Sequence, residues 1–270
     1  MLSLSAEAAF ALCSRIAGVW IVISSAERLA VLREFRPRGA YDPRVNLAGA
    51  ISFRSVFGRL AGSVRLHAGF LLVRLAAGLV LVLSLDTFVV MTVSWTVVAA
   101  TTLLTGWLLI NGGEDGSHQM LTIVSVAFAV ALVLGFAKGL PEAGLYFVGA
   151  QACLAYGTAG VAKVISPVWR NGEAIKGVLS TRTYGIVGPA ALLQKHSSLA
   201  FAACWLTITF EVAFLVAPVM PQLLLLSLFA IAAGFHAVSA YVMGLNGFLW
   251  SFGATYPAIF FLNQSLSGVL

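Results

Sequence analysis

Charge is what this sequence lacks. Only 10% of its 270 residues are Asp, Glu, Lys or Arg, where a soluble globular domain carries about a quarter. So few charges cannot cover a water-facing surface, and most of the outer surface must meet lipid. Cysteine is scarce too. Cys13, Cys153 and Cys204 all sit in apolar runs, with no CxxC pair, which indicates neither a disulfide framework nor a zinc site. No GxGxxG, P-loop or GxSxG occurs, so the common nucleotide-binding and hydrolase signals are missing. No internal repeat and no soluble domain is visible. Ahead of its first apolar run the chain carries Glu7 and no basic residue, unlike a cleaved secretory signal, so a retained first helix is expected.

Apolar residues are abundant instead, at 60% of the chain. A run of about 17–25 of them crosses a bilayer as a helix. Eight such runs are predicted: Ala8–Ser25, Ala68–Phe88, Val90–Ile110, Met120–Ala137, Leu145–Ile165, Leu199–Val216, Gln222–Met243 and Phe248–Leu262. Asp86 and Thr87 imply a tight turn, and Asn111–Gln119 is a second turn cluster. The fold class expected is all-α, a polytopic transmembrane bundle forming one domain over residues 1–270. Within Ala48–Val64 the residues Ile51, Val56, Leu60 and Val64 recur on a helical period around Arg54 and Arg59, which predicts a helix lying in the membrane interface.

The net charge of +6 is concentrated in two loops. Residues 26–66 hold eight arginines and residues 166–198 hold Arg170, Lys176, Arg182 and Lys195, twelve of the sixteen Lys and Arg in all. Such crowding reads as membrane orientation and not as nucleic-acid binding, which spreads its cations over a solvated face. An odd number of crossings precedes each loop, so both belong on one side, and the positive-inside rule makes that side cytoplasmic. The expected location is the plasma membrane, the inner membrane of a bacterium, with the lipid bilayer as first partner.

Ionisable residues within apolar runs face the bundle interior and find partners. Arg15, Arg74, Lys163, Glu211 and His236 are of this kind. Glu211 has no cation nearby in sequence, so Lys163, Arg15 and Arg74 are its candidate partners. His236 stands alone, with no second His or carboxylate four residues away, so no helical metal pair is expected there. His118 follows Glu114 and Asp115 at a helix start, where the helix dipole favours acidic residues. Trp95, Trp107, Trp169 and Trp250 fall near predicted membrane ends and read as interfacial anchors.

The stretch Tyr146–Ala174, YFVGAQACLAYGTAGVAKVISPVWRNGEA, organises the rest. Tyr156, Gly160 and Lys163 share one helical face at i, i+4 and i+7. Gly157, Ala159 and Gly160 form a small-residue strip that admits another backbone at close range. Lys163 ends the apolar run and reads either as an anchor snorkelling to the headgroups or as a functional group.

QACLAYGTAGVAKVISPVWRNGEAIKGVL resembles the signature of the vitamin K-dependent gamma-carboxylase-like, or HTTM-domain, membrane proteins: Gln151, an aromatic, Ala-Gly, Lys163, then a Trp and a Gly. NGGEDGSHQM upstream, and TFEVAFLV and FHAVSAYVMGLNGF downstream, resemble that family's turn, Glu-bearing helix and His-bearing helix. The resemblance implies a membrane enzyme, a carboxylase or epoxidase-like lyase, in which Lys163 is the base that deprotonates a vitamin K hydroquinone-like quinone. It adds His118 and Tyr156 as companions. The family's lysine pair reads Ala162-Lys163 here, so only the second lysine is kept. No stretch corresponds to the carboxylase's large extracytoplasmic domain. The short bacterial members, similar to sporulation-delaying protein B, therefore fit better, and they imply maturation of a peptide with a small partner protein. The resemblance opens the lysine to the extracytoplasmic side, whereas the charge rule puts Lys163 at the cytoplasmic end. Two other readings stay open from the residues: a non-catalytic membrane subunit that holds a partner during peptide maturation or export, and a small-solute transporter.

Overall fold

The structure is a computed structural model and describes residues 2–36, 39, 42, 63–83, 87–109, 115–135 and 142–267. Most of the expected interfacial helix, residues 48–62, and the turn residues 84–86 and 111–114 lie outside the described residues. The described chain is helical, with no strand. In order come α1 (Ala6–Ala30), a 3₁₀ turn (Leu32–Phe35), α2 (Val64–Leu83), α3 (Phe88–Leu109), α4 (Gly116–Leu134) and α5 (Glu142–Ile165). Three short helices follow, α6 (Pro167–Arg170), α7 (Glu173–Leu179) and α8 (Val187–Lys195). The chain continues through α9 (Ser197–Ala213), a 3₁₀ segment (Phe214–Val219), α10 (Gln222–Met243), α11 (Asn246–Gly253) and α12 (Tyr256–Ser267).

Seven helices among the described residues are long and apolar enough to cross a membrane: α1 to α5, the segment Ser197–Val219 and α10. Bare Leu83, Leu134, Leu223 and Val238 stand exposed on these helices, a surface that lipid accepts and water does not. The protein is an all-α, polytopic integral membrane protein. The eighth expected run, Phe248–Leu262, is divided between α11 and α12. Pro257 explains the division, because its ring lacks the N–H that a continuous helix would bond and would press on the carbonyl four residues back. The chain therefore stops at Gly253 and restarts at Tyr256, and the Thr255 hydroxyl donates back to the Phe252 carbonyl at 2.7 Å.

The polar region 166–198 is folded, not a bare loop. Pro167 sits in the first turn of α6, where its missing N–H costs nothing. Gly172, at φ +85°, lets the chain turn into α7, and a Cβ there would lie 2.8 Å from the Phe201 Cα. Lys176 is buried and donates to Glu173 (2.8 Å) and to the Ser197 hydroxyl (3.0 Å), tying α7 to the start of α9.

The chain forms two compact units. The first takes in residues 1–9 and 145–270. Its N-terminal residues are held by side chains: Gln222 bonds the Leu2 backbone and Gln264 the Leu4 backbone, each through both N–H and C=O. The second unit, residues 10–144, packs α1 to α4. There a Cβ on Gly18 would lie 2.9 Å from the Gly78 carbonyl and one on Gly78 would lie 2.8 Å from Ile21, so these glycines let α1 and α2 touch along their backbones. Trp95 lies in this core, fully buried. Its indole N–H donates to the Ser14 hydroxyl (3.2 Å) and its ring meets Phe128 edge-on. The expected belt anchor at Trp95 is thus a core residue, because Ser14 on the neighbouring helix supplies the acceptor that a headgroup would otherwise provide. The Trp107 side chain lies outside the described residues.

Candidate functional site

The first unit gathers its polar side chains on the face of α5 that carries Tyr156, Gly160 and Lys163. Close approach of α9 makes the gathering possible. A Cβ on Gly160 would fall 2.7 Å from the Val212 nitrogen and 3.0 Å from the Glu211 carbonyl carbon, and one on Gly157 would collide with Leu215. With α9 pressed against α5 at this level, Glu211 comes opposite Lys163 one turn further along.

Lys163 Nζ donates to both carboxylate oxygens of Glu211, at 2.7 and 2.9 Å. The lysine side chain is 19% exposed and the glutamate 8%. The ammonium also sits 5.0 Å from the centroid of the Trp169 ring, a cation–π distance. Pro167 and the short helix α6 bring Trp169 back over the end of α5. Trp169 was expected to be an interfacial anchor; in the structure it covers the cation. Of the three candidate partners for Glu211, the structure selects Lys163. Arg74 belongs to the second unit, where its Nη1 donates to the hydroxyls of Ser24 (3.0 Å) and Ser25 (3.2 Å). Arg15 lies on an exposed face of α1 in the same unit.

Two turns deeper on α5, the Tyr156 hydroxyl meets His236 Nε2 at 2.7 Å and the Tyr256 hydroxyl at 3.2 Å. Tyr156 and His236 are buried. Nδ1 of His236 is buried and has no hydrogen-bond partner among the described residues. The mid-helix histidine is therefore bonded through one nitrogen only, and α5, α10 and α12 each contribute one member of the chain. No local pattern in the sequence marks Tyr256. It follows the break at Ala254 and Thr255, and only the redirected α12 aims it at Tyr156.

The rings around this chain are stacked on one another. Phe214 lies parallel to Tyr156 at 3.9 Å between centroids, Phe229 parallel to Tyr256 at 4.7 Å, and Phe252 near-parallel to His236 at 5.3 Å. The flat ring of a quinone, the cofactor that the resemblance implies, needs a slot between such faces. Each of these three polar rings has an aromatic ring stacked against it.

Two sequence candidates remain. Gln151 is half-buried earlier on α5. His118 belongs to the second unit, in the first turn of α4. Its backbone N–H is capped by the Asp115 carboxylate at 2.9 Å, and the same oxygen accepts from the Ser117 hydroxyl at 2.6 Å. This is the helix-start role that its acidic neighbours suggested. Among the described residues no group of three or more His, Cys, Asp or Glu could hold a metal. Comparison of the chain with models of protein families, with curated proteins and with solved structures returned no match.

Proposed function

We propose that this protein is a membrane enzyme of the gamma-carboxylase-like, HTTM type, acting in the maturation of a peptide, and that Lys163 and Glu211 move the proton its reaction requires. The observation that carries the reading is the doubly bonded Lys163–Glu211 pair at the end of α5, with the lysine half-buried and the glutamate buried. A snorkelling anchor needs neither a carboxylate partner nor the backbone contact at Gly160 that delivers one. In a low-dielectric setting two separate charges are costly. Transfer of one proton along the short N–H···O contact leaves a neutral amine and a neutral carboxylic acid. The amine nitrogen can then take a proton from an acidic X–H group on the substrate, giving the ammonium and the substrate anion. The ammonium that forms then donates to the carbonyl oxygen of the protonated Glu211, which keeps the transferred proton. Tyr156, His236 and Tyr256 shape the wall beyond the pair. No step here passes through a quinone.

A second reading rests on the same pair. An ion pair this well satisfied also serves as a structural pin in a non-catalytic subunit that holds a partner protein. Lys163→Arg separates the two, because arginine keeps the charge and the two-point contact but cannot give up its proton near neutral pH. Host cells carrying the wild-type protein, Lys163→Arg or a deletion would be compared by mass spectrometry of their secreted peptides, after membrane levels are matched. General acid–base catalysis contributes about 10²–10⁴-fold, so Lys163→Arg is expected to lower the modified peptide by about that factor and to resemble the deletion. A wild-type peptide profile from well-folded Lys163→Arg would sink the proton-transfer role and leave the pin.

A further inference from the structure

The second unit contains a small pocket whose lining includes Arg28, Phe35, His67, Arg74, Thr101 and Thr105. It lies where the C-terminal end of α1, the N-terminal half of α2 and the C-terminal half of α3 come together. His67, Leu71 and Arg74 point into it from one face of α2, at i, i+4 and i+7.

Arg74 is 2% exposed. Its Nη1 is held by two neutral hydroxyls, Ser24 and Ser25. The Ser25 hydroxyl donates to the Ile21 carbonyl at 2.6 Å, so its oxygen is turned to accept from the guanidinium. The Nε side of the fork is buried and has no hydrogen-bond partner among the described residues. No described carboxylate forms an ion pair with Arg74 either. His67 is 6% exposed. Its Nδ1 lies 3.2 Å from the Ser63 carbonyl, which makes that nitrogen the N–H donor, and its buried Nε2 has no partner among the described residues. The Thr101 and Thr105 hydroxyls donate to their own helix, at 2.7 Å to Val97 and 2.6 Å to Thr101, which leaves their oxygen lone pairs and apolar methyls to the wall.

A buried guanidinium without a counter-charge is costly in an apolar helix bundle. Its Nε edge is shaped for two-point binding of a carboxylate or phosphate. Phe35, Phe70 and Leu104 add apolar wall, which suits an anion carried on a lipid stem. We propose that this cavity is a binding site for a phosphate oxyanion, held by the free edge of Arg74. His67 Nε2 takes the P–OH of a phosphomonoester or, as imidazolium, donates to the anion. The site belongs to the second unit and does not depend on the reading of Lys163.

The test uses the full-length protein purified in phosphate-free detergent, with dioleoyl phosphatidic acid, dioleoyl phosphatidylcholine and inorganic phosphate as probes. Native mass spectrometry reads lipid adducts, and thermal melting reads inorganic phosphate. The expected result is one phosphatidic acid retained per protein, at least about tenfold more tightly than phosphatidylcholine, falling to the phosphatidylcholine level in Arg74→Gln. A melting shift with inorganic phosphate alone, lost in Arg74→Gln, supports the same site with the free ion as its ligand. Equal behaviour of wild type and folded Arg74→Gln toward both phosphatidic acid and phosphate overturns the proposal. Should Arg74→Gln fail to fold, Leu104→Trp decides, since it fills the cavity and leaves the serine anchors in place: loss of the selective adduct supports the site and wild-type binding overturns it.

Discussion

Lys163 and Arg74 are both cations inside apolar helices, and the two units satisfy them in opposite ways. Lys163 meets a full carboxylate through two oxygens and carries a tryptophan face over its ammonium. Arg74, more deeply buried, meets two hydroxyls from the preceding helix and no carboxylate among the described residues. One charge is neutralised within the protein, and the other is oriented without being neutralised. The difference teaches that a buried charge alone does not identify a site. A compensated cation moves or holds a proton with its partner, whereas an oriented, uncompensated one is disposed to take an anion from outside.

Removing the carboxylate attacks the compensated side of this comparison and has the largest expected effect. Glu211→Ala strands Lys163, and breaking a buried pair costs about 3–5 kcal/mol. A thermal melt of the purified protein should fall accordingly, while Glu142→Ala, on the exposed first turn of α5, stays close to wild type. Equal melts for the two variants would show that Lys163 reaches water without its partner.

The hydroxyl side of the comparison is weaker. Ser25→Ala removes one of the two hydrogen bonds to Arg74, a charge-assisted bond of about 1.5–3 kcal/mol. Denaturation in mixed micelles should detect that loss. A cost equal to that of Glu211→Ala would mean that the serines neutralise Arg74 far better than their chemistry suggests.

The backbone contact that assembles the pair gives the third measure. Gly160→Ala places a methyl 2.7 Å from Val212 nitrogen and should destabilise by about 1–3 kcal/mol through overpacking. Gly69→Ala meets nothing within 4 Å. It should be neutral or stabilise by up to about 1 kcal/mol, the usual gain from alanine in a helix. A harmless Gly160→Ala would mean that α9 can retreat without losing the Lys163–Glu211 contact, which an undiminished cost of Glu211→Ala in the Gly160→Ala background would expose.

Much of the molecule was legible from local pattern. α10 spans the residues the hydropathy run marked, Gln222–Met243, and the other long helices differ from their runs by a few residues at the ends. The small-residue strip on α5 pointed correctly to a close helix contact. His67 carried a signal that could have been used: it stands seven residues before Arg74, on the same face of an apolar helix. Trp95 could not be read this way. Its position near a predicted helix end suggested an interfacial ring, and nothing in the surrounding residues announced Ser14, 81 residues away. Tyr256 was hidden for a similar reason, since its direction depends on how the chain resumes after Thr255.

By itself the sequence determined the class of the protein, the placement of its long helices, the two basic stretches, and which side chains share a face of α5. These follow from composition and from periods of a few residues, which the α-helix converts directly into geometry. Only the tertiary structure decided which partner Glu211 takes, that His236 meets Tyr156 across 80 residues of chain, and that Arg74 meets the hydroxyls of Ser24 and Ser25. Those outcomes depend on which helices touch and at what depth. Contacts of this kind are set by glycine-lined interfaces such as Gly160 against Val212, and no local period encodes the element on the far side.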